Sequence, residues 1–109
     1  SPAAKPIASY SFQGKTILIT GSAGDIGKAT AHRFAENGAG VVLLDVNEAK
    51  MTEVARELEK YQTPIHTFRC DVTKPDEINR VFADITKQVR LNYVFNNSTY
   101  RLCTLIIWA

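Results

Sequence analysis

The stretch Thr-Gly-Ser-Ala-Gly-Asp-Ile-Gly at residues 20–27 decides the fold. It follows Thr16–Thr20, a short run of apolar and β-branched residues that is typical of a buried strand. It opens a predicted helix over residues 25–37, which Asn37-Gly38 would end. A glycine turn between a strand and a helix brings unpaired N–H groups and the positive end of the helix dipole together, and this suits a phosphate. The predicted ligand-binding residues of the loop are Gly21, Ser22, Gly24, Asp25, Ile26 and Gly27.

The same alternation continues along the chain. Val41–Asp45 is a continuous apolar run that predicts a second strand covered on both faces. We expect a helix capped by Asn47, a third strand at Ile65–Cys70, a helix capped by Thr73 and a fourth strand at Asn92–Asn96. The order βαβαβαβ predicts the α/β class, with part of a Rossmann-like, doubly wound parallel sheet and helices on both faces.

The chain length of 109 residues suits one domain rather than two. We divide it into a flexible leader at 1–14, a dinucleotide-binding half-domain at 15–97 and an apolar tail at 98–109. The leader contains two prolines and no acidic residue. A transit peptide is the weaker interpretation of this leader, because such peptides are rich in arginine and no arginine precedes Arg33.

Composition excludes several other classes of protein. Lysine and arginine number 13 against 11 acidic residues, and they are spread along the chain, so we expect neither a nucleic-acid partner nor a membrane partner. No apolar run reaches the ~20 residues of a membrane span. Cys70 and Cys103 form no disulfide framework, which favours the reducing cytoplasm. With His32 and His66 they show no metal-ligand spacing, and we expect no metal site.

Asp45 ends the second predicted strand, 24 residues after Gly21. In a dinucleotide-binding fold an acid at this position accepts hydrogen bonds from the adenosine ribose, and its charge repels a 2′-phosphate. Val46 follows it, so no arginine stands there to receive such a phosphate. We therefore predict that Asp45 and Val46 bind the cofactor, and that this cofactor is NAD rather than NADP.

A glycine-rich loop after a first strand has three other known uses. A nucleotide-triphosphate P-loop requires a glycine, four residues and then Gly-Lys-Ser/Thr, but here Ser22 leads the motif and Ala29 follows Lys28. This mismatch at both ends argues against a triphosphatase. A methyltransferase that binds S-adenosylmethionine also has a glycine-rich first turn and an acid after its second strand, so this alternative stays open. A glycine turn that serves only packing stays open as well.

Over residues 12–97 the chain resembles the N-terminal part of the short-chain dehydrogenase/reductase family. The loop at 20–27 resembles the family's glycine loop, and Asp45 its cofactor-selecting acid. Asp71-Val72 resembles the pair after the third strand, and Asn96-Asn97 the start of the motif after the fourth. Because the four motifs occur in the family's order, together they indicate this family more specifically than any single motif does.

The resemblance implies a role for each of these residues. Asp71 would bind the adenine amino group, with Val72 beside it. Asn97 would lie against the adenosine ribose, and Asn96 would tie the central strands together. The resemblance further implies the strand order 3-2-1-4, hydride transfer between nicotinamide and an alcohol or ketone, and a homo-oligomeric parent protein.

Two departures from the family pattern limit this interpretation. Asp25 stands where the family's middle glycine would be, and we expect its carboxylate to point away from a bound pyrophosphate. The family's catalytic serine, tyrosine and lysine include a Tyr-x-x-x-Lys pair, and no tyrosine of this sequence has a lysine four residues later. The resemblance therefore implies a truncated cofactor-binding portion without catalytic residues, inactive by itself. A non-catalytic dinucleotide-binding module is the alternative.

Overall fold

The computed structural model describes residues 12–97, in which four parallel strands alternate with three α-helices. The sheet order is β3-β2-β1-β4, and every neighbouring pair is parallel. This confirms the predicted class and strand order. The elements are β1 (Thr16–Thr20), α1 (Asp25–Glu36), β2 (Gly40–Asp45), α2 (Glu48–Leu58), a 3₁₀ turn (Glu59–Tyr61), β3 (Ile65–Arg69), α3 (Pro75–Gln88) and β4 (Tyr93–Phe95).

Most of the predicted element ends are correct to within one residue. α1 stops at Glu36 because Asn37 leaves helical geometry and Gly38 takes a left-handed φ of +95°. Asn47 caps α2 as predicted, accepting a hydrogen bond from the Lys50 N–H at 3.1 Å.

The predicted cap of α3 is wrong. Lys74 occupies the cap position, and its side chain makes no capping hydrogen bond. The Thr73 hydroxyl instead donates to Asp71 Oδ1 at 2.6 Å. Because the Thr73 hydroxyl is bonded to Asp71, it does not cap the start of α3. Pro75 begins the helix, as its missing N–H allows.

The sheet separates two apolar cores, as its period of two requires. On one face Ile17, Ile19 and Leu43 pack against α1 and α2. On the other face Leu18 and Leu44 pack against α3. The buried residues of the helices are Gly27, Ala31 and Ala35 in α1, Met51, Val54 and Leu58 in α2, and Ile78, Phe82 and Ile85 in α3.

α1 and α2 are also joined by polar contacts on the surface. His32 Nδ1 lies 2.9 Å from the Tyr61 hydroxyl, and His32 Nε2 lies 3.0 Å from Glu57 Oε1. Lys28 Nζ lies 3.1 Å from the other oxygen of Glu57. These contacts hold α1 and α2 side by side. The first turn of α1 follows the glycine loop, and the first turn of α2 follows Asp45.

The predicted leader and tail fall mostly outside the described residues. Of the leader, the structure describes only Phe12 to Gly14, which form a turn before β1. Phe12 packs on Phe34 and Tyr93, with ring centroids 4.8 and 5.8 Å away. Residues 1–11 and the whole tail at 98–109 lie outside the described residues. Between residues 12 and 97, no helix has the length and apolar character needed to cross a bilayer.

Candidate dinucleotide-binding site

All four strands run in the same direction, so their carboxyl ends meet at one edge of the sheet. The glycine loop leaves β1 at this edge with Gly21 in the left-handed region at φ +63°. A Cβ on Gly21 would lie 3.3 Å from the main-chain oxygen of Asn97. Both the backbone angle and the close approach therefore require glycine at this position.

Gly27 is the position where the helix packs on its own loop. A Cβ there would overlap the Gly21 carbonyl oxygen and lie 2.8 Å from Ser22 Cα. Gly24 is different, because its Cβ would meet only the Gly21 oxygen, at an ordinary 3.5 Å, and its φ is −79°. Two of the three predicted glycines are therefore sterically required, and the third leaves open space.

Most N–H groups of the glycine loop are already hydrogen-bonded within the fold. The Ser22 N–H and hydroxyl both donate to the Leu44 carbonyl, at 3.2 and 3.1 Å. The Ala23 N–H donates to Asp45 Oδ2 at 2.9 Å, and the Gly24 N–H donates to the Gly21 carbonyl at 3.2 Å. Ser22 is fully buried, so its hydroxyl fixes the loop and does not reach a ligand.

Three N–H groups of the first turn of α1 remain unpaired. The first intrahelical bond runs from the Lys28 N–H to the Gly24 carbonyl at 2.8 Å. Within residues 12–97 no acceptor pairs with the N–H groups of Asp25, Ile26 and Gly27, which is the usual condition of a helix start. Asp25 is exposed, and Ile26 retains 64% of its surface. An anion at this point would meet the donors and the positive end of the helix dipole together.

The Asp45 carboxylate is held beside this turn by two hydrogen bonds. Its Oδ2 accepts from the Ala23 N–H and its Oδ1 from the Asn47 N–H, both at 2.9 Å. Each carboxylate oxygen keeps further acceptor capacity. Val46 follows, 52% exposed. The predicted pair Asp45 and Val46 therefore adjoins the glycine loop, with carboxylate lone pairs left for a ligand.

The Asp71 turn lies next to Asp45, since the Cys70 N–H donates to the Asp45 carbonyl at 3.2 Å. Asp71 Oδ1 accepts from both the hydroxyl and the N–H of Thr73, at 2.6 and 3.0 Å. The hydroxyl bond, and then the N–H bond, lower the pKa of the Asp71 carboxyl. The carboxyl is therefore ionised at neutral pH, and both of its oxygens are hydrogen-bond acceptors. Val72, partly buried, packs on the α3 side of the sheet.

Glu77 is a residue of this turn that the sequence analysis missed. Its Oε2 accepts from the Asp71 N–H at 2.7 Å and lies 4.0 Å from Arg69. Glu77 is one of two acidic residues in the first turn of α3, and that placement is the signal that could have pointed to it. It holds the Asp71 turn against the helix.

Thr20 joins the glycine loop to the end of β4. Its buried hydroxyl donates to Asn96 Oδ1 at 3.0 Å and accepts from the Asn97 N–H at 2.9 Å. The Asn97 amide nitrogen lies 3.5 Å from the Gly21 carbonyl oxygen. Asn96 thus ties β4 to β1, and Asn97 reaches the loop. Thr20 was absent from the predicted site, although it begins the quoted motif.

Cys70, at the end of β3, is not a nucleophile of this site. Burial, followed by the nearby charges of Glu77 and Asp71, raises the pKa of its thiol to about 11. The thiol is therefore protonated at neutral pH, whereas the thiolate is the reactive form. Within residues 12–97 no group of three or more histidine, cysteine or acidic side chains is placed to hold a metal ion.

Comparison with known proteins agrees with this geometry. The profile of the family described as short chain dehydrogenase matches residues 15–104. A short-chain dehydrogenase/reductase from Gibberella zeae is 40% identical over 89 residues, which cover 81% of this chain and 33% of that relative. Tropinone reductase-like 2 from Erythroxylum coca is 42% identical over 88 residues, covering 80% of this chain and 31% of that relative.

Solved structures show the same likeness. A short chain dehydrogenase from Shigella flexneri matches with a TM-score of 0.78 at 28% identity, over 86% of this chain and 38% of that one. An NAD⁺-bound xylitol dehydrogenase matches with a TM-score of 0.74 at 33% identity, over 82% of this chain and 35% of that one.

The chain belongs to the short-chain dehydrogenase/reductase family. It spans about a third of the length of the curated relatives it matches. Members of this family are oxidoreductases that bind nicotinamide dinucleotides and act on small molecules.

Proposed function

We propose that this chain is the NAD-binding portion of an oxidoreductase that transfers hydride between nicotinamide and an alcohol or a ketone. The observation that carries the proposal is the group of N–H donors at Asp25, Ile26 and Gly27, which have no acceptor within residues 12–97, beside a loop where Gly21 and Gly27 tolerate no Cβ. Such a cradle fits the pyrophosphate of a dinucleotide. Family membership supports it from an independent direction.

Each remaining predicted residue has a role in this proposal. The Asp45 carboxylate accepts hydrogen bonds from the ribose hydroxyls, and Val46 lies beside the adenosine. Asp71 accepts from the adenine amino group, and Asn97 lies against the ribose. The bound cofactor supplies the nicotinamide that exchanges hydride, whereas this chain binds and orients its adenosine and pyrophosphate ends.

The preference for NAD over NADP rests on Asp45. Hydrogen bonds to Ala23 and Asn47 hold both of its oxygens, so the carboxylate cannot withdraw from a 2′-phosphate without breaking them. Val46 offers that phosphate no positive charge. The repulsion costs the NADP complex on the order of 2–3 kcal/mol, or roughly 30- to 150-fold in affinity.

Calorimetric titration of the 109-residue chain with each cofactor tests this proposal. We expect NAD to bind, and NADP to bind at least tenfold more weakly. Asp45→Asn should narrow that ratio, whereas Glu53→Gln, an equal charge change in the exposed middle of α2, should leave it unchanged. Equal binding of the two cofactors by the unaltered chain would remove Asp45 from the ribose site. If the chain binds S-adenosylmethionine but not NAD, the methyltransferase alternative replaces the oxidoreductase proposal.

A non-catalytic dinucleotide-binding module is the second candidate. The sequence has no tyrosine followed four residues later by lysine, so it lacks the family's proton-transfer pair. We expect the chain, assayed with NAD and a panel of simple alcohols, to bind cofactor without turnover. Turnover by the purified chain would require another proton donor. A cytoplasmic location and a homo-oligomeric parent protein belong to the same proposal, on the basis of cysteine usage and family resemblance respectively.

A further inference from the structure

The first turn of α1 carries a negative charge where it offers its unpaired donors. The N–H groups of Asp25, Ile26 and Gly27 are the ones left for an anion, because those of Ser22, Ala23 and Gly24 are paired within the fold. Asp25 is the first residue of this helix and is exposed. An anion bound to these donors therefore lies at the same helical turn as the Asp25 side chain.

The aspartate side chain is too short to remove this charge from the site. Because only two rotatable bonds separate it from the backbone, its carboxylate stays near an anion held by the N–H groups of the same turn in any rotamer. No cation on the first turn offsets it, since the lysine of the following turn, Lys28, lies 3.1 Å from Glu57. The pyrophosphate and Asp25 thus compete for one helix end.

We propose that Asp25 limits the affinity of this site for the pyrophosphate while stabilising α1 in the free chain. This rests on the proposed dinucleotide function. A carboxylate at a helix start interacts favourably with the helix dipole. Asp25 therefore stabilises the N-terminus of α1 when no ligand is bound, as a bound phosphate would stabilise it in the complex.

The experiment compares the 109-residue chain with Asp25→Asn, which keeps the shape of the side chain and removes its charge. Asp25→Ser is a second neutral variant that also favours a helix start. Glu36→Gln makes the same charge change at the other end of α1, about 16 Å away, and serves as the control. Calorimetry measures the binding of NAD, ADP and adenosine, and thermal unfolding is followed without ligand.

We expect both neutral variants to bind NAD and ADP about three- to tenfold more tightly than the unaltered chain. Adenosine, which has no phosphate, should bind all proteins equally. The gain should shrink at 0.5 M salt, since screening weakens exposed charges. The unfolding temperature of Asp25→Asn should fall by about 1–2 °C, the opposite direction from its affinity. Glu36→Gln should leave NAD affinity unchanged.

The outcomes separate this inference from the proposed function. Equal NAD and ADP affinities in Asp25→Asn and the unaltered chain overturn the inference and leave the NAD proposal intact. A gain of the same size in Glu36→Gln or for adenosine also overturns it. If no protein binds NAD, the proposed function fails and ADP decides the inference: a gain with the neutral variants supports it, and no gain overturns it.

Discussion

Two loops at the carboxyl edge of the sheet contribute residues to the predicted site, and they differ in what holds them. The β1–α1 loop at residues 21–24 is bonded mainly to other elements. Its Ser22 donates to Leu44 and its Ala23 to Asp45, both in β2. Asn97, after β4, contacts it from the other side. This loop therefore depends on the relative positions of three strands.

The β3–α3 loop at residues 70–74 is held mostly by its own residues and its own helix. Asp71 bonds to Thr73 two positions later, and its N–H bonds to Glu77 in α3. In the part of the chain that the structure describes, the one bond to a neighbouring strand joins the Cys70 N–H to the Asp45 carbonyl. The two loops occupy equivalent positions of one sheet but differ in how strongly they are bonded to other strands. Substitutions in the β1–α1 loop should therefore disturb more of the fold than substitutions in the β3–α3 loop.

Gly27→Ala should show the largest effect. Its methyl group overlaps the Gly21 carbonyl oxygen, so the helix must separate from the loop, at a cost of about 3 kcal/mol in unfolding free energy. Gly24→Ala, in the same loop but in open space, should cost less than about 1 kcal/mol. Urea unfolding of both variants makes the comparison. Similar losses for the two would mean that tight packing of α1 is not what couples the loop to the fold.

Gly21→Val should weaken NAD binding about tenfold or more, because valine tolerates a φ of +63° poorly and its Cβ crowds Asn97. Lys28→Ala should have little effect on binding, because Lys28 pairs with Glu57 on the surface. Fluorescence titration with NAD ranks the two. The reverse order would return Lys28 to consideration as a phosphate-binding lysine.

Asp45→Ala should destabilise the fold more than Asp71→Ala. The first change leaves the partly buried N–H of Ala23 without its acceptor, which costs about 1–3 kcal/mol, and also removes the exposed bond to Asn47. The second removes bonds to the exposed Thr73, whose groups can turn to water. Chemical unfolding at neutral pH measures both. An equal loss in Asp71→Ala would contradict the difference in coupling between the loops.

Acid should produce the smallest effect, and in the second loop it acts through Asp71. Bonds from Thr73 lower the pKa of Asp71 in the folded chain, so its ionised form stabilises the fold above the unfolded pKa. That stabilisation is lost as the pH falls below about 4 through the folded value. Thermal unfolding of the chain and of Asp71→Asn should differ at pH 6 and converge at lower pH. A constant gap would mean that ionisation of Asp71 does not contribute.

The strands and helices were predictable because their burial repeats with the period of each element. β2 is apolar at every position from Val41 to Leu44, as a strand covered on both faces must be, and all four residues are fully buried. Asn47 was identified as a cap because a strand end and an amphipathic helix leave one small polar residue between them. Such signals are local, so a single sequence contains them.

The bonds that complete the site were not predictable in the same way. Thr73 and Lys74 both precede Pro75, and the choice of cap depends on Asp71 taking the Thr73 hydroxyl. Glu77 supports Asp71 from six residues away, with no motif that marks the pair. The role of Ala23 lies wholly in its main-chain N–H, which any residue except proline would provide. The roles of Asp71 and Asn97 came from family resemblance.

The parallel sheet also sets the order in which the site can assemble. Leu18 pairs with Val42, 24 residues away, and with Val94, 76 residues away. Closing the longer loop costs about 1 kcal/mol more in chain entropy, on the scale of 1.5 RT times the logarithm of the length ratio. The β1–β2 unit, with its glycine loop and Asp45, therefore forms at lower entropic cost than the pairing that brings Asn97 to Gly21. In a chain made from its amino end, Asn97 is added after all the residues that make the loop's other contacts.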